Sequence, residues 1–453
     1  MKQKIFKLIN VLYIITTLIF MISIIRYNVL PLKYLIPLLL VQTIISIILV
    51  INKKLFTKII SVVIIIIYIP ILFLLGKTFN FIEKIQEDGK LYENYSIIVL
   101  NNHEEELNKI EKLGYYYQEN QSIYDALEKV NEIKTQDFEN IEETANALIE
   151  NKVDAIILED TYYRIYGEEN KDFRNQTKII YSFQIEKNVQ PIKKEVNTKQ
   201  ETFNIYISGI DTYGNISSVS RSDVNIIATI NPNTNKILLT TIPRYYYVQL
   251  DGTTGLKDKL THAGIYGVEK SVKTIENLLD IDINYYVKVN FSSVEKIVDT
   301  LDGVNVYSKY SFIGYEGSYF HEGYNYVYGK QALEFARTRK TIEGGDRTRG
   351  KNQEALIEAI LERICSKEIL TKYTQLLDTL EDSFQTNLAE EEITTIIKKQ
   401  IDEGKSWQVE SISVDGENAH RYTYSYGGRE LFVIIPNEET IRNFKERYED
   451  TIK

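Results

Sequence analysis

Residues 203–244 read FNIYISGIDTYGNISSVSRSDVNIIATINPNTNKILLTTIPR. FNIYISGID is a short apolar run that ends on Asp211, and the two later apolar runs are joined by the turn-rich NPNTN, the pattern of a strand followed by a hairpin. Downstream, GVEKSVKTIENLLDI (267–281) places apolar residues at helical spacing, and YYVKVNFSSVEKIVDTLDGVNV (285–306) reads as strand, helix, strand. Helices alternating with strands predict a layered α/β/α domain around a mixed sheet. Past Arg363 come further helical segments, then WQVESISV (407–414) and LFVIIP (431–436), both expected to complete the same sheet.

Working back from this core, EKNVQPIKKEVNTKQET (186–202) is charged, polar and interrupted by one proline, as a linker would be. Before it, the apolar runs YSIIVL (95–100) and VDAIILED (153–160) enclose SIYDALEKVNEI (122–133) and NIEETANALIENK (140–152), which have helical periodicity. A small α/β unit is expected there, accessory in character, since it offers neither a metal-ligand cluster nor a phosphate loop, and His103 is single.

From Ile5 to Leu75 the chain is almost wholly apolar, and it divides into three stretches of membrane-spanning length, about 8–25, 34–51 and 59–75. Lys2, Lys4 and Lys7 precede the first and Lys53, Lys54 and Lys58 separate the second from the third, against Arg26 and Lys33 in the other connection. The positive-inside rule therefore places the N-terminus in the cytoplasm and everything after Leu75 outside the cell. The expected division is a three-span anchor (1–80), an accessory α/β domain (85–195) and a catalytic domain (201–453).

The chain has 453 residues, a net charge of −10 and one cysteine, Cys365. No intrachain disulfide is possible, and the acidic balance gives no general attraction for nucleic acid. Binding of an anion requires a local basic patch, and EFARTRKTIEGGDRTRGKNQEALIEAIL (334–361) supplies one. Between Arg337 and Lys351 it carries six basic residues and two acidic ones. Arg337 and Arg339 are two apart, so an extended segment would project both guanidinium groups to one side, in the fork geometry that suits phosphate oxygens. GGD then opens a helix with Asp346 expected as its cap. At about 100° per residue, Asp346, Arg349 and Gln353 share the arc continued by Ile357, Ile360 and Ile364. A polar trio on a core-facing arc reads either as an internal Asp346–Arg349 salt bridge or as the floor of an anion pocket at a helix N-terminus, and the second is preferred.

Two further features lie at strand ends. Asp211 and Asp223, on neighbouring strands, are either turn residues or a shared site for a hard cation such as Mg²⁺. Arg244 closes the hairpin in TIPR and gains meaning only in company.

In this order, the strand ending in Asp211, the RSD with Asp223, the TIPR with Arg244, KL..A..YG from Lys259 to Gly267, ARTRK, and D..R...Q from Asp346 to Gln353 resemble the LytR-CpsA-Psr family of envelope glycopolymer transferases. The likeness covers about Phe203 to Arg363, and three spans before a small extracellular domain resemble its capsule-associated members. What it implies is transfer of a glycopolymer (capsule, teichoic acid or another wall polysaccharide) from a polyprenyl-pyrophosphate carrier to peptidoglycan, with formation of a phosphodiester. It implies a catalytic set of Asp211, Asp223, Arg244 and Asp346. It also implies a Mg²⁺ or Mn²⁺ ion at Asp211 and Asp223, and pyrophosphate contacts from Arg221, Arg244, Arg337, Arg339 and Arg349 in an arrangement held by Asp346 and Gln353. The acceptor sugar hydroxyl would lose its proton to Asp211 or Asp223. One departure is plain: the family usually has Asp after the IPR arginine, and Tyr245 stands here. That residue makes a non-catalytic carrier-binding protein the alternative.

His262 and His321 are read as structural or surface residues, not as parts of a Ser–His–Asp set. The runs IIATI and ILLTTI are candidates to line a lipid groove. The tyrosines from Tyr307 to Tyr328 are read as ordinary strand and surface residues or as stacking partners for sugar rings.

Overall fold

A computed structural model of the chain describes residues 2–86, 89–104, 106–116, 134–189, 194, 196–210, 216–364, 372–381 and 383–453. Asp211, Cys365 and the SIYDALEKVNEI segment lie outside the described residues, as does part of the expected linker.

The N-terminal part is three helices, α1 (Lys2–Tyr27), α2 (Leu32–Ile51) and α3 (Leu55–Ile85), each long and apolar enough to cross a membrane. Their outward faces expose Ile22, Leu40 and Ile66, side chains that only a lipid surround would accept in such numbers. α3 runs ten residues beyond the expected end at Leu75. The extra turns are polar because they leave the apolar layer and meet the rest of the chain: Lys84 Nζ pairs with Glu381 at 2.7 Å, Lys77 pairs with Asp378, and Thr78 Oγ1 shares a 2.8 Å hydrogen bond with the Tyr373 hydroxyl.

The accessory region is a five-stranded mixed sheet of β1 (Lys90–Leu100), β2 (Lys112–Tyr116), β3 (Lys134–Phe138), β4 (Ala155–Glu159) and β5 (Thr177–Asn188), in the order β3-β2-β4-β1-β5. β5 takes the first residues of the expected linker. The NIEETANALIENK segment forms α4 (Ile141–Ile149), its N-terminus capped by the Asn140 side chain, which accepts from the Glu143 amide at 2.9 Å. At the end of β4, Glu159 is buried and accepts only from the Thr161 amide (2.8 Å) and hydroxyl (3.1 Å) among the contacts described, and burial pushes its carboxyl up to about 8. Ile98, Leu148 and Ile156 share one apolar cluster with Ile265, Tyr426 and Leu431 from the second region, so this sheet is seated on its neighbour.

The second region is centred on six strands, β6 (Phe203–Ile210), β7 (Ser222–Asn231), β8 (Lys236–Thr241), β9 (Tyr285–Asn290), β12 (Phe384–Thr386) and β13 (Gln408–Ser413), in the order β12-β9-β6-β7-β8-β13. Between β9 and β12 in the chain, β10 (Val304–Ser308) and β11 (Gly323–Val327) form a separate ribbon. The sheet is mixed: β6 and β9 are parallel, as are β8 and β13, and β7 is antiparallel to both its neighbours. Alternation along β7 sends Val224, Ile226 and Ala228 into one apolar cluster and Ile227 into another. The first is covered by α8 (Phe291–Thr300), α9 (Gly329–Arg337) and α10 (Asp346–Ile364), and the second by α7 (Val268–Leu279) and α13 (Glu438–Ile452). The result is the expected α/β/α layering.

Of the two late strands, only β13 joins the sheet. Leu431–Pro436 pairs with Gly416–Arg421 instead, because its backbone is taken by a different partner: the Ile434 amide donates to the Tyr245 carbonyl at 2.8 Å. The expected lipid-groove residues Ile226, Ala228 and Leu239 are packed beneath α9 and α10.

Candidate functional site

β6 and β7 meet through an irregular register where Ile210 pairs with Ser222, a local bulge that re-aims the residue after it. That residue is Asp223. Across the hairpin, the Ile242 amide still donates to the Asn225 carbonyl at 2.8 Å, after which the chain turns at Pro243, with the Tyr246 amide donating to the Pro243 carbonyl at 3.0 Å. The turn throws Arg244 back toward β7. Its Nη1 donates to Asp223 Oδ1 at 2.7 Å, and Thr261 Oγ1 donates to the same oxygen at 3.2 Å.

The KL..A..YG segment is what holds this turn. Leu260–Ala263 form one helical turn, with the Leu260 and Thr261 amides bonded to the Tyr246 and Arg244 carbonyls, both at 2.8 Å. Gly264 is required by close approach, since a Cβ there would lie 2.5 Å from the Ser220 carbonyl oxygen and 2.8 Å from the Ser222 nitrogen. The segment is thus pressed against the RSD stretch that carries Asp223.

Tyr245 occupies the centre of a cationic group. Its hydroxyl accepts from Arg244 Nη2 and from Arg339 Nη1, the latter at 2.7 Å. The Arg244 guanidinium carbon lies 4.3 Å from its ring centroid and Lys259 Nζ 4.9 Å, while Phe432 packs edge-on at 5.7 Å.

α10 provides the opposite wall. Gly344 and Gly345 both have positive φ, 81° and 56°, which lets the chain turn sharply into the helix. The Gly345 carbonyl accepts from the Arg349 amide at 3.1 Å, so Gly345 is the cap and Asp346, expected in that role, is the first residue inside the helix. Its backbone is at the expected place, and its side chain is outside the described residues. Arg349 and Gln353 are buried, as their shared arc requires, but Leu356 and Ala359 are more deeply buried than Ile357 and Ile360. The helix is enclosed around much of its circumference because the sheet covers one side and α9 the other; Asn352 Nδ2 donates to the Phe335 carbonyl at 3.2 Å.

Between these walls lies a cavity of about 310 Å³, lined by Asp223, Thr241, Arg244, Arg349, Lys351 and Gln353 among others. Burial would raise the Asp223 carboxyl, but Arg244, Arg221 and Arg349 together outweigh it and hold the group well below the usual carboxylate range. Glu354, beside the cavity, is shifted the other way by burial, although the Thr241 hydroxyl donates to it at 3.2 Å.

Four of the expected site residues, Asp223, Arg244, Arg349 and Gln353, therefore face one space. Arg339 joins them through Tyr245, and Arg221 acts on Asp223 electrostatically. The extended Arg337–Arg339 segment does not form: Arg337 is the last residue of α9, half-buried and outside the cavity lining, while Arg339 lies beyond the helix and is exposed. A helix end replaces the strand because Ala332, Phe335 and Ala336 give this stretch a helical apolar face. Tyr245 and Thr261 carried no expected role. The signal for both was their position, directly after IPR and inside the KL..A..YG run.

His262 is not isolated. It is buried with Nδ1 2.7 Å from Asp258 Oδ1, and Asp258 Oδ2 accepts from the Ser425 amide at 2.8 Å and from the Ser425 hydroxyl. The aspartate sits between the other two, which is not the order of a nucleophilic triad. His321 is exposed, with Nδ1 2.8 Å from the Glu322 carbonyl oxygen.

Residues 161–437 match the family model described as the LytR_cpsA_psr family. A curated relative from Bacillus anthracis, the polyisoprenyl-teichoic acid–peptidoglycan teichoic acid transferase TagU, is 33% identical over 239 residues, which is 51% of this chain and 78% of the relative. Its counterpart in Bacillus subtilis is 35% identical over 197 residues, 43% of this chain and 63% of that protein. Among solved structures, B. subtilis TagV is similar with a TM-score of 0.47 and 26% identity, covering 56% of this chain and 98% of its own. TagT bound to LI-WTA has a TM-score of 0.44 and 26% identity over 57% and 94%. With more than half of its length matched by the family model, this chain belongs to the LytR-CpsA-Psr family.

Proposed function

We propose that this chain is a membrane-anchored phosphotransferase that moves a glycopolymer from a polyprenyl-pyrophosphate carrier to peptidoglycan, with its N-terminus in the cytoplasm and the α/β regions outside. The observation that carries this reading is that Arg244 and Arg349 converge on one cavity of about 310 Å³, with Asp223 held ionised in its wall. An acidic chain that concentrates Arg244, Arg349, Arg339 and Lys259 at one place has built a site for a strong anion.

In the reaction, an acceptor sugar hydroxyl attacks the phosphorus attached to the glycopolymer. A P–O bond of the pyrophosphate breaks, polyprenyl phosphate leaves, and a phosphodiester forms. Such a transition state needs positioning and charge neutralisation more than covalent help. Arg244 and Arg349 would hold the phosphate oxygens from two walls of the cavity. Arg339 would close from the exposed side, its reach fixed by Tyr245. Asp223, held ionised by its arginines, aims Arg244, and the proton of the acceptor hydroxyl passes to a nearby carboxylate, with Asp211 and Asp223 the candidates. An ionised carboxylate beside a phosphate site also suits Mg²⁺ or Mn²⁺, which take one or two carboxylates with water and substrate phosphate. Bound by Asp223 and Asp211, such an ion would supply further charge neutralisation.

The test is transfer by the purified full-length chain in detergent, given lipid-linked polymer and peptidoglycan fragments. Release of polyprenyl phosphate together with polymer attachment is expected, and Arg244→Ala with Arg349→Ala should abolish both. Carrier binding without any release would sink the transferase reading in favour of carriage alone.

A further inference from the structure

Seven tyrosines fall between Tyr307 and Tyr328. Six of them, Tyr307, Tyr315, Tyr319, Tyr324, Tyr326 and Tyr328, are more than half exposed, and no other described tyrosine is as exposed as any of these six. The concentration follows from the ribbon. β10 and β11 alternate strictly, with Val304, Val306 and Val327 in the core and Tyr307, Tyr324 and Tyr326 outside. Tyr307 and Tyr324 are directly opposed with ring centroids 5.3 Å apart, and Tyr326 meets Tyr328 at 5.7 Å. None of this aromatic surface is used by the arginine site.

Its place relative to the anchor can be followed bond by bond. The Tyr326 hydroxyl donates to the Asp302 carbonyl at 2.7 Å, and the Asp302 carboxylate lies 3.5 Å from Lys372 Nζ. The next residue, Tyr373, shares its 2.8 Å hydroxyl hydrogen bond with Thr78 on α3. Thr78 is three residues past Leu75, the end of the apolar run, which is about 4.5 Å along a helix axis. At the same level Tyr27, the last residue of α1, stacks on Phe79 with centroids 3.8 Å apart. Aromatic rings already mark the level where the spans leave the apolar layer, and a path of three successive contacts leads from the ribbon to it.

We infer that the tyrosine face of the β10–β11 ribbon seats on the lipid headgroup layer beside the anchor. Tyrosine suits that layer because its ring enters the acyl boundary while its hydroxyl stays among headgroups and water. Sugar stacking fits less well: the Tyr307–Tyr324 and Tyr326–Tyr328 ring planes are inclined at 72° and 78°, so neighbouring rings do not form one flat platform for successive pyranoses. Ion pairs between the sheet region and α3 fix one side of this body, and the ribbon rests the other side on the bilayer.

The full-length chain in nanodiscs tests this. Trp407, the only tryptophan, is replaced by Phe, and a single tryptophan is placed by Tyr326→Trp or, in a second variant, Tyr324→Trp. Tyr422→Trp, at the exposed position just after the Gly416–Arg421 strand, is the control. With brominated phospholipids in the disc, fluorescence at 326 and 324 should fall at least two-fold and that at 422 should be unchanged. Unquenched emission at both ribbon positions, or equal quenching at all three, overturns the inference. Quenching absent but emission shifted by soluble wall-polymer fragments would overturn it in favour of a glycan platform.

Discussion

Asp258 is fully buried, and its donors all come from the chain itself: the Ser425 amide and hydroxyl, the Lys259 amide at 2.7 Å, and the His262 ring. Asp223 has lost most of its contact with solvent, its side chain 19% exposed, yet Arg244, Arg221 and Arg349 all act on it and it lines an open cavity. The first cluster is closed and needs nothing further. The second opens on a cavity that Arg244 and Arg349 also line, so a ligand can reach its charged groups. A buried carboxylate marks a site when it and its cations face an open cavity, not because it is buried.

The strongest way to break this contrast is to remove Arg244. Arg244→Ala should lower turnover by roughly 10² to 10³, the usual cost of losing one preorganised charge donor, and should also lower the melting temperature, since Asp223 loses its closest ion-pair partner. Adding Asp223→Asn should return the melting temperature toward wild type without restoring transfer. If the double variant recovers transfer, Arg244 serves the fold and not the substrate.

Asp258→Ala probes the closed cluster and should show the reverse pattern. Stability falls by about 3 kcal/mol, because a buried ring and hydroxyl lose their shared acceptor. Turnover per folded molecule changes less than threefold. Differential scanning calorimetry, paired with active-site titration, separates the two quantities.

Glu159 extends the series, being buried with hydroxyl and amide donors and, among the described residues, no cation bonded to it. Its folded value of about 8 exceeds the unfolded value near 4.3, so the folded state binds more protons between those limits and stability falls as pH rises through that window. Asp223 has the opposite sign: its contribution is present above the unfolded value near 3.9 and is lost as pH falls toward its depressed folded value. Melting curves from pH 5 to 8 should slope downward for the wild type and flatten for Glu159→Gln. An unchanged slope would show that Glu159 does not titrate there.

The layering was legible because apolar alternation in SDVNIIATI and helical spacing in GVEKSVKTIENLLDI are local properties. So was the burial of Arg349 and Gln353, which depends only on their spacing from the apolar face of α10. The helix end at Arg337 was not, since a segment of nine residues is read from sequence only weakly and its apolar face became visible once Phe312 and Phe320 packed against Phe335. Nor could LFVIIP be placed, because any free strand edge satisfies an apolar run equally well. The Asp258 cluster brings Ser425 to a residue 167 positions away, and spacing carries no information over that distance.

Tyr245 sharpens the contrast most finely, because the sequence placed a tyrosine where a carboxylate was expected and the structure makes it the junction of the cationic group. A phenol oxygen accepts from two donors and keeps one proton to give. With Arg244 and Arg339 as those donors, the remaining proton is available to a phosphate oxygen. Tyr245→Phe removes the acceptor and the proton but keeps the ring that Arg244 and Lys259 face, so turnover should fall about tenfold, with KM for the lipid-linked donor rising as Arg339 loses its tether. Tyr245→Asp, the residue usual in the family, introduces a stronger acceptor for both arginines but cancels one unit of the positive charge that the pyrophosphate meets. It should recover part of kcat at the expense of a higher KM. If Tyr245→Phe leaves both constants unchanged, the hydroxyl is a bystander, and Arg244 is aimed by Asp223 without it.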